Sequence, residues 1–104
     1  MFPSMFIDLI VEQAFEPKEY AKTIIISEST QQEWKCFNDI IYRESRWDPN
    51  AENGPYYGLG QMYDGKKYLE GKPALQVEKA IEYIDTKYGS NCAALAHHEK
   101  YDWY

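Results

Sequence analysis

Between residues 48 and 65 the chain reads DPNAENGPYYGLGQMYDG, a run of Pro, Gly, Asn and Asp through which no stable helix can pass. Asp48-Pro49 is expected to stop the preceding helix and Asn53-Gly54-Pro55 to reverse the chain, so residues 48–55 are expected to be irregular. The following YYGLGQMYDG reads as short extended pieces, in which Gly58 and Gly60 permit a positive φ or a close backbone approach.

The flanks are helical in pattern. Ser4 can cap a helix over about residues 5–15, and Pro17 suits the first turn of a second helix carrying Tyr20 and Ile24 to Ile26. Thr30 to Glu33, TQQE, reads as a capping box: the Thr30 hydroxyl takes the Glu33 amide, and the Glu33 carboxylate reaches back to the Thr30 amide. A helix over about 31–45 follows. Pro73 opens another, with Val77, Ala80, Ile81, Ile84 and Tyr88 on one stripe and Gly89 ending it. Ser90 or Asn91 caps a last helix through CAALAHHEK. The expected fold class is mainly α, an α+β arrangement with a short irregular or β segment around residues 55–64.

At 104 residues the chain fits one domain, since halves of that length would bury too little apolar surface. Residues 1–29 read as an N-terminal helical extension and 30–104 as the core. Hydrophobic residues make up 44% and aromatics 16%, with ten tyrosines, enough for a core and a surface groove. The formal net charge of −6, without a Lys/Arg cluster, argues against a nucleic-acid surface.

The opening MFPSMFIDLIVEQAF has no basic segment, and Asp8 and Glu12 interrupt its apolar run, so it is expected to be a helix rather than a signal peptide. No apolar run approaches the roughly 18–20 residues that a membrane span needs. Cys36 and Cys92 can form one disulfide or none, and without an export signal reduced thiols are expected. With no zinc-type cysteine spacing and only the adjacent His97 and His98, neither a metal nor a cofactor is expected.

In the helix over 31–45, Trp34, Phe37, Ile41 and Glu44 fall on one stripe, with Ile40 beside them. Glu44 therefore sits at the edge of an apolar face. A Glu there can simply turn to water; if it stays partly desolvated, its neutral form is favoured, as a general acid near neutral pH requires.

With these residues in place, ESRWDPNAENGPYYGLGQM resembles the signature of the lysozyme-like lytic transglycosylases through Glu44-Ser45, Asn50-Ala51 and Gly58-Leu59-Gly60-Gln61. The later QVEKAIEYIDTKYGSNCAALAHH resembles the second block of that family through Tyr83-Ile84, Tyr88-Gly89 and Ala94-Leu95-Ala96. The final YDWY is similar to the ending of related domains in phage tail proteins and in secreted cell-wall proteins of the resuscitation-promoting type. The resemblance covers about residues 31–104. It departs from the family at His98-Glu99, where many members carry Tyr-Asn.

The resemblance implies peptidoglycan glycan strands as substrate and Glu44 as the single catalytic acid, forming 1,6-anhydro-muramic ends. It implies Ser45, Tyr57, Gln61, Tyr63, Tyr83, His97, His98 and Trp103 as substrate-binding candidates, with Tyr56 as a further stacking platform. A hydrolytic muramidase remains an alternative, with Asp48, Glu52 or Asp64 as second carboxylate, and so does a non-catalytic glycan-binding or virion module. The acidic balance is unlike that of a free-acting bactericidal lysozyme. It suits delivery by other means, so a monomer associated with phage particle proteins, or made in the host cytoplasm to act on the wall, is expected.

Overall fold

The computed structural model describes residues 15–104. The expected helix over 5–15, with its Ser4 cap, lies outside the described residues. Those that follow form α1 (Pro17–Glu28), α2 (Gln31–Ser45), β1 (Glu52–Asn53), β2 (Tyr56–Tyr57), β3 (Met62–Tyr63), α3 (Lys66–Leu69), α4 (Pro73–Tyr88) and α5 (Asn91–Tyr101). The described chain is mainly helical with one small antiparallel sheet, the α+β arrangement expected and consistent with a lysozyme-like domain.

Helix α2 is the centre of the packing. Its Trp34, Phe37, Ile40 and Ile41 join Ala21 and Ile25 of α1, Val77, Ala80 and Ile84 of α4, Ala94 of α5 and Leu59 of the sheet connection in one core. The apolar stripes expected for α2 and α4 thus both face this core. Each fully buried aliphatic side chain contributes on the order of 1.5–3 kcal/mol relative to exposure.

The start of α2 differs from the expected capping box in one half. Thr30 Oγ1 accepts the Glu33 N–H at 3.1 Å, but the Glu33 carboxylate does not return to Thr30. It accepts the N–H groups of Asn91 at 2.6 Å and Cys92 at 3.2 Å, at the first turn of α5. Two otherwise unpaired amides at the positive end of a helix dipole hold a carboxylate better than one amide of its own turn.

Close to these bonds, Cys36 of α2 and Cys92 of α5 are joined in a disulfide, with Cα atoms 5.0 Å apart. This corrects the expectation of reduced thiols. The side-by-side packing of α2 and α5 brings the two cysteines within bridging distance, and a reading from export signals carries no information about that packing.

Helix α2 ends at Ser45, as expected, just ahead of Asp48-Pro49. Arg46 and Trp47 both take left-handed backbone conformations, φ 53° and 61°, and the Arg46 N–H donates to Tyr42 O at 2.9 Å. A bulky residue with positive φ costs of order 1–3 kcal/mol. Trp47 offsets it by donating Nε1–H to Asn38 Oδ1 at 2.8 Å and by packing its ring 6.1 Å from Trp34 and 6.2 Å from Phe37.

The sheet runs in the order β1-β2-β3, with Asn53 opposite Tyr56 and Tyr56 opposite Tyr63. Glu52 and Asn53, expected to be irregular, are a strand. Gly54 at φ 60° and Pro55 form a two-residue connection that folds the chain straight back onto β2. The pieces at 56–57 and 62–63 are extended, as expected.

Both glycines between β2 and β3 are required, for different reasons. Gly58 has φ 85°, and a Cβ there would lie 2.6 Å from Gln76 Oε1; one at Gly60 would lie 2.8 Å from the Met62 methyl and 3.1 Å from Tyr104 Oη. Gln76, buried in α4, accepts from Leu59 N–H at 2.8 Å and donates to Pro49 O at 3.1 Å and Leu69 O at 3.0 Å. One side chain thereby fastens the loop after α2, the β2–β3 turn and the end of α3 to α4. Gly89, at φ 81°, ends α4, and Ser90 caps α5 by accepting the Ala93 N–H at 3.1 Å.

Candidate active site

Glu44 sits in the last turn of α2, where the apolar stripe meets the surface, and its side chain is 17% exposed. It opens onto a cleft of about 350 Å3. Asn53 and Tyr56 of the sheet and Gln61 of the β2–β3 turn line one side; Asp102, Trp103 and Tyr104, just after α5, line the other.

Burial pushes the Glu44 carboxyl above its ordinary value, and the hydrogen bond of His98 pulls the other way without cancelling it. His98 Nε2 lies 3.0 Å from Glu44 Oε1, and the His98 side chain is 10% exposed. A carboxyl raised by burial at the wall of an open cleft is shifted in the direction that suits a general acid.

Gln61 and Trp103 reach the cleft by different means. Gln61 adopts φ 52°, and its Nε2 donates to Ala51 O at 3.0 Å and Gly58 O at 2.9 Å. Its side chain is thereby held across the turn, with the amide oxygen left as an acceptor. Trp103 is half exposed, its ring centroid 4.5 Å from that of His97 and 4.9 Å from Lys87 Nζ. His97 Nδ1 lies 2.9 Å from Trp103 O; a carbonyl can only accept, so Nδ1 carries the proton. His97 thus supports Trp103 from outside the cleft.

The remaining sequence candidates do not line this cleft. Ser45 is buried and donates its hydroxyl to Ile41 O at 3.1 Å. Tyr57 is buried, with its hydroxyl 3.3 Å from Asn50 Oδ1. Tyr63 is exposed, edge-on to Tyr56 at 5.9 Å, and so acts on the cleft only through that neighbour. Tyr83 lines a second cleft, of about 340 Å3, with Tyr68, Lys79 and Lys87, and donates its hydroxyl to Tyr104 O at 3.2 Å.

Asn53, Asp102 and Tyr104 line the cleft and were not anticipated. Tyr104 donates its hydroxyl to Gly60 O, joining the C-terminal wall to the sheet wall. Burial raises its phenol well above the ordinary value, and the Glu44 charge adds to that, so it remains a donor. The resemblance of YDWY already drew attention to Trp103, one position away. The carboxylates proposed from sequence as second acids lie elsewhere: Asp48 Oδ1 accepts the Asn50 N–H at 2.9 Å, Glu52 pairs with Lys66 at 3.4 Å and Asp64 with Lys67 at 2.9 Å. Among the described residues, no cluster of three or more His, Cys, Asp or Glu side chains could hold a metal ion.

A mainly helical domain with an acidic side chain at the end of its central helix, facing a small sheet across a cleft, has the arrangement that the resemblance to lytic transglycosylases implies. Known proteins bear out that likeness. The chain is 36% identical over 70 residues to a protein named probable transglycosylase IsaA from Staphylococcus haemolyticus (strain JCSC1435), a match over 66% of this chain and 29% of the relative. A protein of the same name from Staphylococcus xylosus is 35% identical over 69 residues, 65% of this chain and 28% of its own length. The chain thus spans less than a third of either relative. No protein-family model matches the chain, and no solved structure does.

Proposed function

We propose that the domain is a peptidoglycan lytic transglycosylase that cleaves the β-1,4 bond between N-acetylmuramic acid and N-acetylglucosamine, with Glu44 as its single catalytic acid. The observation that carries this reading is Glu44 itself, a carboxyl raised by burial at the wall of a cleft between the sheet and the segment after α5. Neutral Glu44 donates its proton to the glycosidic oxygen as the bond breaks through an oxocarbenium-like state. The resulting carboxylate takes the proton from the muramoyl 6-hydroxyl, whose oxygen closes on C1 to form the 1,6-anhydro ring. Tyr56 and Trp103 offer aromatic faces to pyranose C–H groups, and the Gln61 amide oxygen can accept from an N-acetyl N–H. The likeness to two proteins named as transglycosylases supports the substrate class.

Asp102 supports a second reading. It is the other carboxylate residue lining the cleft, and a hydrolase would use such a group as base for water. Mass spectrometry of digested peptidoglycan separates the two. Fragments ending in 1,6-anhydro-muramic acid are expected, and Glu44→Gln is expected to lower the rate by about 10²–10⁴-fold. Reducing ends in their place would assign the reaction to hydrolysis, and unchanged activity of Glu44→Gln would remove Glu44 from the chemistry.

The Cys36–Cys92 disulfide supports action in an oxidising compartment, outside a reducing cytosol. That setting agrees with a cell-wall substrate, and delivery on a phage particle is one route to it.

A further inference from the structure

His98 differs from every other polar group around the cleft in how it is enclosed. It projects from α5 and is buried, with Nε2 3.0 Å from Glu44 Oε1. Its Nδ1 is also buried and has no hydrogen-bond partner among the described residues.

These two facts together select one protonation pattern. An N–H at Nδ1, in the imidazolium or in the Nδ1–H tautomer, would be a buried donor without an acceptor. A bare Nδ1 leaves only a weakly demanding lone pair. The ring proton then belongs on Nε2, where it points at Glu44. We infer that His98 is a positioning residue: a neutral imidazole, protonated at Nε2, that donates to Glu44 Oε1 and so confines the transferable proton of Glu44 to Oε2.

The inference rests on the proposed role of Glu44 and says how that role is made directional. A carboxyl has two equivalent oxygens, and only one can face a glycosidic oxygen in a given pose. With Oε1 occupied as an acceptor from His98, a neutral Glu44 carries its O–H on the other oxygen. After transfer, the same Nε2–H stabilises the carboxylate that must next accept a proton. His98 touches neither substrate nor reacting bond, so its effect passes through Glu44.

The charged and titratable groups facing the pair are few. From the segment after α5 come Tyr104, whose ring centroid lies 6.2 Å from that of His98, and Asp102 in the cleft wall. On α2, Arg43 is engaged with Asp39 at 2.8 Å and Glu99 at 3.6 Å, on the solvent side. The sheet and its β2–β3 turn contribute Asn53, Tyr56 and Gln61 to the cleft. The Asp102 backbone N–H donates to the His98 carbonyl at 2.7 Å, but none of these side chains bonds the His98 imidazole, which leaves Glu44 as the single polar contact of the ring among the described residues.

The test is nitrogen-detected NMR of the histidine side chains in the whole protein with its disulfide intact, with kinetics on solubilised glycan strands alongside. For His98, a protonated, pyrrole-type Nε2 and a bare, pyridine-type Nδ1 are expected, in the wild type and in Glu44→Gln, whose side-chain carbonyl still accepts. Protons on both nitrogens, or on Nδ1 alone, would overturn the inference. His98→Phe is expected to lower kcat by about tenfold or more with little change in KM, and His98→Gln, whose amide N–H stands in for Nε2–H, to recover most of that loss. Equal losses in both variants that follow their loss of thermal stability would show His98 to be structural. The NMR result stands apart from activity, so an active Glu44→Gln would sink the proposed reaction without touching the assignment of the tautomer.

Discussion

Glu33 and Asn91 are 58 positions apart, yet the Asn91 N–H donates to Glu33 Oε1 at 2.6 Å, so the first turn of α2 supplies the cap of α5. Thr30 and Ser90 each cap their own helix in the ordinary way, which makes Glu33 an addition specific to the tertiary fold. Glu33→Ala is expected to destabilise the domain by about 1–2 kcal/mol, and Glu33→Gln, which keeps an acceptor but loses the charge, by roughly half of that. Thr30→Ala, losing a local cap alone, should cost about 1 kcal/mol. Urea unfolding curves check this; a Glu33→Ala variant no weaker than Thr30→Ala would mean that the long-range cap contributes nothing.

The disulfide acts on the same pair of helices. Cys36 and Cys92 close a loop with a sequence separation of 56, for which the loss of unfolded-chain entropy corresponds to about 4 kcal/mol. Cys36→Ser together with Cys92→Ser, or full reduction of the wild type, should therefore lower the unfolding midpoint sharply and to a similar extent. Mass measurement of the purified protein before and after alkylation checks the bond itself: addition of two alkyl groups without prior reduction would contradict it.

How far this arrangement could be read in the sequence depends on the range of the interaction. The helices at 17–28, 31–45 and 73–88 were legible because Pro17, Thr30, Pro73 and Gly89 act within one turn of themselves, and the stripe through Trp34, Phe37 and Ile41 has the helical period. Glu44 was legible as the polar end of that stripe. What could not be read depends on which helices meet. The Cys36–Cys92 bond, the redirection of Glu33 and the contact between Glu44 and His98 all follow from α2 lying against α5. Gln76 lies on the buried face of α4, one residue before Val77, and could have been suspected from that stripe. Its three partners come from segments that only the tertiary fold brings together.

The β2–β3 turn offers a test of why its glycines are glycines. Gly58→Ala combines a positive φ with a Cβ 2.6 Å from Gln76 Oε1, so it should break the Leu59–Gln76 bond and cost about 2–4 kcal/mol. Gly71 also has a positive φ, but a Cβ there meets nothing within 4 Å, and Gly71→Ala should cost only about 1 kcal/mol of backbone strain. Gly60→Ala differs again. The added methyl presses on the flexible Met62 side chain and on Tyr104 Oη, displacing the bond that joins the two walls of the cleft. Activity on peptidoglycan should therefore fall further for Gly60→Ala than its change in melting temperature would suggest. Parallel activity and thermal measurements on the three variants decide it, and equal melting temperatures for Gly58→Ala and Gly71→Ala would contradict the close contact with Gln76.

The raised Glu44 carboxyl links activity and stability to pH in opposite senses for the wild type and its amide. In the unfolded chain Glu44 titrates at its ordinary value, whereas burial raises it in the fold. Between the two values the folded state binds more protons, so stability falls as pH rises through that window. Glu44→Gln has no such proton to lose. The two proteins should be close in stability below the ordinary carboxylate range, with the variant becoming the more stable as pH rises through that window while its rate stays reduced. If Glu44 is the proposed general acid, the wild-type rate should decline on the alkaline side as it loses its proton. Paired urea midpoints from acid to neutral pH, set beside the pH–rate profile, test both. A stability difference that does not change with pH would show that Glu44 is not raised by burial, and the general-acid reading would lose its physical basis.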